Sequence, residues 1–236
     1  MPTRPSGQFT AILTTQSNLR IRHIIWDWNG TLLNDKWLCI ESINTLLMRR
    51  GLAPIDENRY AEIFGFPVRN YYERAGFDFS TEPFEKPALE FISLYDERRV
   101  ECALQPGAIE VLMGIRDRGI GQSLLSASEQ GVLDEMAAHH GIRNFFEHLK
   151  GLNDHYADGK EGLGRELITL IGLRPEEVVM VGDTCHDSEV AAALGLECIL
   201  YTGGHHPAER LVRCGRMLID RLEELPEQLV RLQTLH

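Results

Sequence analysis

At 236 residues the chain has room for one large domain, or for a core carrying a modest insert. Apolar residues make up 43% of it, which supplies a buried core and argues against disorder throughout. A formal net charge of −11 argues against a nucleic-acid-binding surface and means that an anionic substrate needs a locally positive pocket.

Residues 1–20 are rich in Ser, Thr and Gln, carry Arg4 and Arg20, and contain no acid. They read as a loosely attached tail, with an organellar presequence as the other reading, and Gln8 to Thr15 would add at most an edge strand. Ile21 to Trp28 is an apolar β-like run. Lys36 to Arg50 places Trp37, Ile40, Ile43, Leu46 and Leu47 at helical spacing and ends at Gly51. The strand pattern then disappears. Asp56 to Phe64, Val68 to Ala75 and Pro83 to Val100 read as helices, separated by Gly65-Phe66-Pro67 and by Gly76 to Thr81.

Alternation resumes with a helix from Pro106-Gly107 to about Arg118 and a short strand from Gly121 to Ser126. A helix from Glu129 to His140, a strand from Phe145 to Lys150 and a helix from Gly162 to Ile171 follow. Val178 to Val181, Glu189 to Leu194, Glu197 to Tyr201, Ala208 to Cys214, Met217 to Ile219 and Leu222 to Leu232 continue the rhythm. Repeated β-then-α units imply an α/β fold, a parallel sheet covered on both faces. The expected organisation is a tail over 1–20, a Rossmann-like core over 21–50 and 101–236, and an inserted helical cap over 51–100. Five scattered cysteines (Cys39, Cys102, Cys185, Cys198, Cys214) without a C-x-x-C pair read as thiols of a reducing compartment. No stretch reaches the roughly 18 to 20 apolar residues that span a bilayer, and no secretory h-region follows the start. A cytoplasmic protein without membrane association is expected.

Two loops carry the chemistry. Asp27-Trp28-Asn29-Gly30-Thr31 follows the first strand, and Gly182-Asp183-Thr184-Cys185-His186-Asp187 follows the strand Val178 to Val181. Loops at the carboxyl ends of strands are where α/β folds build their sites. Two carboxylates four apart, Asp183 and Asp187, suit a hard divalent cation such as Mg²⁺. Lys160 is a compact positive charge between these loops in sequence order, with Lys150 as the fallback. Ser126 ends a short strand in Leu124-Leu125-Ser126-Ala127-Ser128. Its two serines, Ser126 and Ser128, each offer a hydroxyl, one as a ligand and the other as the cap of the next helix.

These segments, in this order, resemble the four motifs of the haloacid dehalogenase-like hydrolases. Within that superfamily the helical insert is similar to the capped subgroup that includes phosphoglycolate phosphatases. The resemblance implies that Asp27 is the nucleophile and forms an aspartyl-phosphate. It further implies that Asp27, the backbone carbonyl of Asn29, Asp183 and Asp187 hold Mg²⁺. Thr31, Ser126, Ala127 and Lys160 would then bind the phosphoryl group of a small phosphorylated metabolite. Gly65-Phe66-Pro67-Val68-Arg69 has the form of the cap loop that helps choose the substrate, and Arg69 would pair with a substrate carboxylate or second phosphate.

One residue departs from the pattern. The first motif normally reads Asp-x-Asp-x-Thr, and here the second acid is Asn29. Asn exchanges no proton at neutral pH, and loss of a general acid–base typically costs roughly 10²- to 10⁴-fold. The resulting expectation is a phosphatase that works slowly or prefers good leaving groups, with His186 and Asp35 as weak substitutes for the missing base. The alternatives are a phosphate-binding or signalling relative that stops after one phosphorylation, and a haloacid dehalogenase. A dehalogenase needs no metal and leaves Asp183 and Asp187 without a purpose. A Schiff-base phosphonatase would need a lysine near the cap loop, where Lys86 does not fall. The pair His205-His206 after Gly203-Gly204 reads as shaping a loop beside the site, not as a zinc site.

Overall fold

The computed structural model describes residues 21–152 and 159–234. The expected N-terminal tail, with its weak strand, lies outside them. The first elements in the chain are β1 (His23–Trp26), β2 (Leu33–Asn34), α1 (Lys36–Arg49), α2 (Glu57–Ile63), α3 (Val68–Ala75), α4 (Glu85–Arg98) and β3 (Ala103–Leu104). Next are α5 (Ala108–Asp117), β4 (Gly121–Glu129), α6 (Gln130–His139), β5 (His148–Leu152) and α7 (Gly159–Ile171). The chain continues with β6 (Val178–Gly182), α8 (Cys185–Leu194), β7 (Glu197–Tyr201), α9 (Ala208–Leu211), β8 (Met217–Ile219) and α10 (Leu225–Thr234).

Six strands form one parallel sheet in the order β5-β4-β1-β6-β7-β8. The fold is the expected Rossmann-like α/β arrangement. Period-two alternation divides each strand between two cores. Ile24 and Trp26 of β1 pack with residues of α5, α6 and α10 on one face, while Ile25 packs with residues of α7, α8 and α9 on the other. The chain runs from β1 outward to β4 and β5, then returns to the far side of β1 with β6. The crevice at this reversal opens at the carboxyl ends of β4, β1 and β6, where α/β sheets bind ligands.

Helices α1 to α4 lie between β2 and β3, which pair with each other as an antiparallel ribbon, Leu33 opposite Leu104 and Asn34 opposite Ala103. They share an apolar cluster in which Cys39, Ile43, Leu46 and Leu47 of α1 pack with Tyr60, Ile63, Tyr71, Tyr72 and Phe77. Among the described residues no helix is long and apolar enough to cross a membrane.

Several boundaries differ from the sequence reading, each for a local reason. Helix α8 starts at Cys185 instead of Glu189, because Thr184 and Asp187 form a reciprocal capping box there. Helix α7 starts at Gly159, which moves Lys160 into its first turn. Strand β4 runs on to Glu129, and neither Ser126 nor Ser128 caps α6.

His23 on β1 is 2% exposed, and its Nε2 lies 2.8 Å from Ser123 Oγ. Burial, with His148 adding to it, lowers its pKa to about 4. The folded state therefore keeps His23 neutral where the unfolded chain protonates it, so stability present above about pH 6.5 is lost as pH falls toward 4. We expect urea unfolding at about pH 7.5 and 4.5 to show wild type losing about 2–3 kcal/mol more than a His23→Gln variant. Equal losses would sink this assignment.

Candidate active site

Three carboxylates meet at the crevice. Asp27 follows β1 directly, Asp183 follows β6, and Asp187 projects from the first turn of α8. Their oxygens lie within 4.8 Å of one another, and all three residues are buried. Lys160 Nζ, itself buried, bonds Asp27 Oδ1 and lies 2.5 Å from Asp187 Oδ1. The other Asp187 oxygen accepts from Thr184 N at 2.9 Å, Thr184 Oγ1 at 2.7 Å and Asp183 N at 3.2 Å. Thr31 Oγ1 bridges the two loops, 2.8 Å from Asp183 Oδ1 and 3.2 Å from Asp27 Oδ2. Asp183 Oδ2 accepts the His205 N–H at 2.6 Å. Gly30, at φ 77°, and Gly204 make this packing possible, since a Cβ on either would strike the Asp183 carboxylate.

The electrostatics are unbalanced. Burial, reinforced by Asp187 and Asp183, raises Asp27 to about 8 against the pull of Lys160. Burial also raises Asp183 to about 6, with His205 opposing and Asp187 adding. Asp187 is held below the usual carboxylate range: burial works against its charge, but Lys160 and Thr184 outweigh it. One lysine does not neutralise three carboxylates. A hard divalent cation fits this surplus and this all-oxygen donor set.

Asn29 is held on every side. Its Nδ2 donates to Asp35 Oδ2 at 2.8 Å and lies 2.9 Å from Tyr95 OH on α4, while its Oδ1 accepts from Ser128 Oγ at 2.8 Å. Asp35, fully buried, also accepts Gly30 N at 2.9 Å and Tyr95 OH at 2.8 Å, and faces His205 Nε2 at 3.4 Å. Burial opposes the charge on Asp35, yet His205 and these donors hold its pKa below the ordinary value. His205 is raised to about 9, Asp35 outweighing the burial that works against its charge. Its Nδ1 meets Tyr60 OH of α2 at 3.0 Å. The loop His205-His206 thus joins the acidic cluster to the helical layer.

The family model for haloacid dehalogenase-like hydrolases matches residues 24–201. The chain belongs to that family. It is 26% identical over 214 residues to a phosphoglycolate phosphatase of Synechococcus elongatus, covering 89% of this chain and 97% of that one. A 5′-nucleotidase of Pseudomonas aeruginosa is 31% identical over 191 residues, 77% of this chain and 82% of its own. A haloacid dehalogenase-like family hydrolase from Streptococcus pneumoniae shares the fold, with a TM-score of 0.78 at 19% identity. That likeness covers 89% of this chain and 98% of the other.

For this haloacid dehalogenase-like hydrolase the geometry sorts the expected site residues. Asp27, Asp183, Asp187 and Lys160 are brought together. Lys150, the fallback, instead pairs with Glu166 at 3.1 Å. Thr31 bridges two carboxylates, so a phosphoryl contact would require its hydroxyl to turn away from them. Ser126 is buried at the end of the apolar part of β4, and its Oγ accepts Ser128 N at 3.0 Å, with Ala127 exposed between them. Arg69 is not brought to the cluster. It bonds Glu73 at 3.3 Å and lies over the Phe79 ring, because Tyr71 and Tyr72 take the buried face of α3 and turn Arg69 outward. His186 stacks on Phe66 at 4.6 Å and stands 3.3 Å from Glu189. The sequence reading gave little weight to His205 and did not single out Tyr60 or Tyr95. Only the Gly-Gly pair before His205 hinted at close backbone approach.

Proposed function

We propose that this protein is a Mg²⁺-dependent phosphatase that hydrolyses a small phosphomonoester through an aspartyl-phosphate on Asp27. The convergence of Asp27, Asp183 and Asp187 on one buried lysine, at the carboxyl ends of adjacent strands, carries this reading. Asp27 attacks phosphorus as the ester P–O bond breaks, and water then cleaves the acyl phosphate, so one hard hydrolysis becomes two easier steps. Mg²⁺, held by Asp27, Asp183, Asp187 and the Asn29 carbonyl, would neutralise charge on the phosphoryl oxygens. Lys160 supplies a second positive charge, the Ser126 hydroxyl and Ala127 N–H donate to the phosphoryl group, and Thr31 orients two of the acids.

Helices α1 to α4 act as a cap hinged on the β2–β3 ribbon. Because α1 shares the apolar cluster of α2 to α4, the moving unit would begin near residue 35, not at 51. The phosphoglycolate phosphatase and 5′-nucleotidase relatives support a small phosphorylated metabolite as substrate. The unpaired cysteines support a reducing, cytoplasmic setting.

Asn29 favours a second reading. Its amide is engaged with Asp35 and Tyr95 and transfers no proton, which suits a relative that accepts phosphate on Asp27 and releases it slowly. Steady-state phosphate release with and without Mg²⁺, across alkyl, aryl and acyl phosphates, separates the two. Many metal-dependent turnovers are expected, fastest with good leaving groups. One equivalent of trapped phosphoenzyme, or none, would reject the phosphatase.

A further inference from the structure

Arg210 sits on α9, just beyond the histidine loop, and reaches across to the helical layer. Its Nη1 donates to the backbone carbonyl of Phe64, the residue that ends α2, and His206 Nε2 lies 3.2 Å from the same oxygen. His206 in turn accepts the Cys185 N–H at 3.0 Å, between the acids Asp183 and Asp187. The guanidinium also lies directly against Gly65, with Nη2 2.9 Å from where a Cβ would stand. Next along that loop, Phe66 stacks on His186, the neighbour of Asp187. Arg210 is therefore beside the loop that borders the carboxylate cluster.

A guanidinium carries five donors in a fixed fork. Phe64 takes one, and among the described residues no other group accepts from the Arg210 guanidinium or forms an ion pair with it. Most arginines of this acidic chain pair with carboxylates, as Arg50 does with Glu82 and Glu90, so a half-buried arginine left with donors to spare is unusual here. Arg69, the other arginine near this loop, is turned outward against Glu73.

Resting on the phosphatase reading above, we propose that Arg210 is a specificity-determining residue that binds a second anionic group on the substrate. The favoured substrates are then phosphomonoesters that also carry a carboxylate or a further phosphate. The fork left free beside Gly65 matches the planar two-oxygen geometry of a carboxylate. A Cβ at position 65 would press on the guanidinium and push it aside. The competing role, a cation that merely caps the end of α2, predicts no dependence on a second charge.

Equilibrium binding separates these without needing turnover. The probes are phosphonoacetate, which has a carboxylate, and ethylphosphonate, which lacks one, titrated calorimetrically into the full-length protein with Mg²⁺. Wild type should bind phosphonoacetate roughly 10- to 100-fold more tightly, the range expected of charged hydrogen bonds. Arg210→Gln keeps a donor for the Phe64 carbonyl but removes the charge. It should erase that preference while leaving ethylphosphonate binding unchanged, and Arg210→Lys should restore part of it. Equal binding of both probes by wild type would overturn the proposal, as would parallel weakening of both by Arg210→Gln. Failure of both probes to bind would overturn it together with the phosphatase reading. A preference seen in binding without phosphate release would leave Arg210 standing and reject the phosphatase alone.

Discussion

Replacing Asp27 with Asn should reduce phosphate release by roughly 10⁴-fold or more, the largest effect of any single substitution in this protein. The amide is nearly isosteric, but its nitrogen and oxygen are too weakly nucleophilic to open a P–O bond, so no covalent intermediate forms. Stability should move the other way. Burial and two neighbouring acids raise Asp27 to about 8, so the folded state strains to hold its charge at neutral pH. Lys160 keeps Asp187 as a partner after the change. In metal-free buffer the variant should therefore melt no lower than wild type, and we expect it to melt higher. Thermal unfolding beside a phosphate-release assay tests both halves. Residual activity within about tenfold of wild type would reject Asp27 as nucleophile. A fall in melting temperature would instead mean that Asp27 stabilises the cluster it belongs to.

The three acids were legible in the sequence because local pattern fixes each of them, whereas Lys160 was picked out only by its place in the order of the resembled motifs. A buried strand followed by an acidic loop places Asp27 and Asp183 at strand ends whatever the rest of the chain does. Four-residue spacing in a capped first turn then returns Asp187 to the same point. The alternation of β and α segments specified the parallel sheet by the same logic. What could not be read is set by contacts between distant segments. Tyr95 reaches Asn29 across 66 residues, and Tyr60 reaches His205 across 145, so no local pattern marks either pair. Arg69 shows the converse. Its loop has a suggestive form, but the phase of α3 is decided by Tyr71 and Tyr72, and that phase turns Arg69 away from the site. Arg210, in a four-residue helix that no sequence motif marks out, ends up beside the same loop.

Asn29→Asp should raise turnover of alkyl phosphates by roughly 10²-fold or more while changing acyl phosphates little. Alkoxide is a poor leaving group and needs a proton as the ester bond breaks, whereas an acyl phosphate loses a carboxylate that needs none. The new carboxyl would keep the Ser128 hydrogen bond, since Asn29 uses its oxygen there. It would lose the amide donation to Asp35 and stand against that carboxylate at about the present 2.8 Å. Two carboxylates so close cannot both ionise, and a proton shared between them is the protonated acid that the departing alkoxide requires. The cost is stability, about 1–3 kcal/mol, because Asp35 loses a donor in a fully buried setting. Asn29→Ala removes the same donor without adding an acid and so isolates that cost. The decisive readout is the slope of log rate against leaving-group pKa, which should be steep in wild type and flatten in Asn29→Asp. An unchanged slope would mean that position 29 is not where the proton is missing. The Asn29–Asp35–Tyr95 contacts would then be read as a structural tie between the sheet and the helical layer, and the proton would have to come from elsewhere in the crevice.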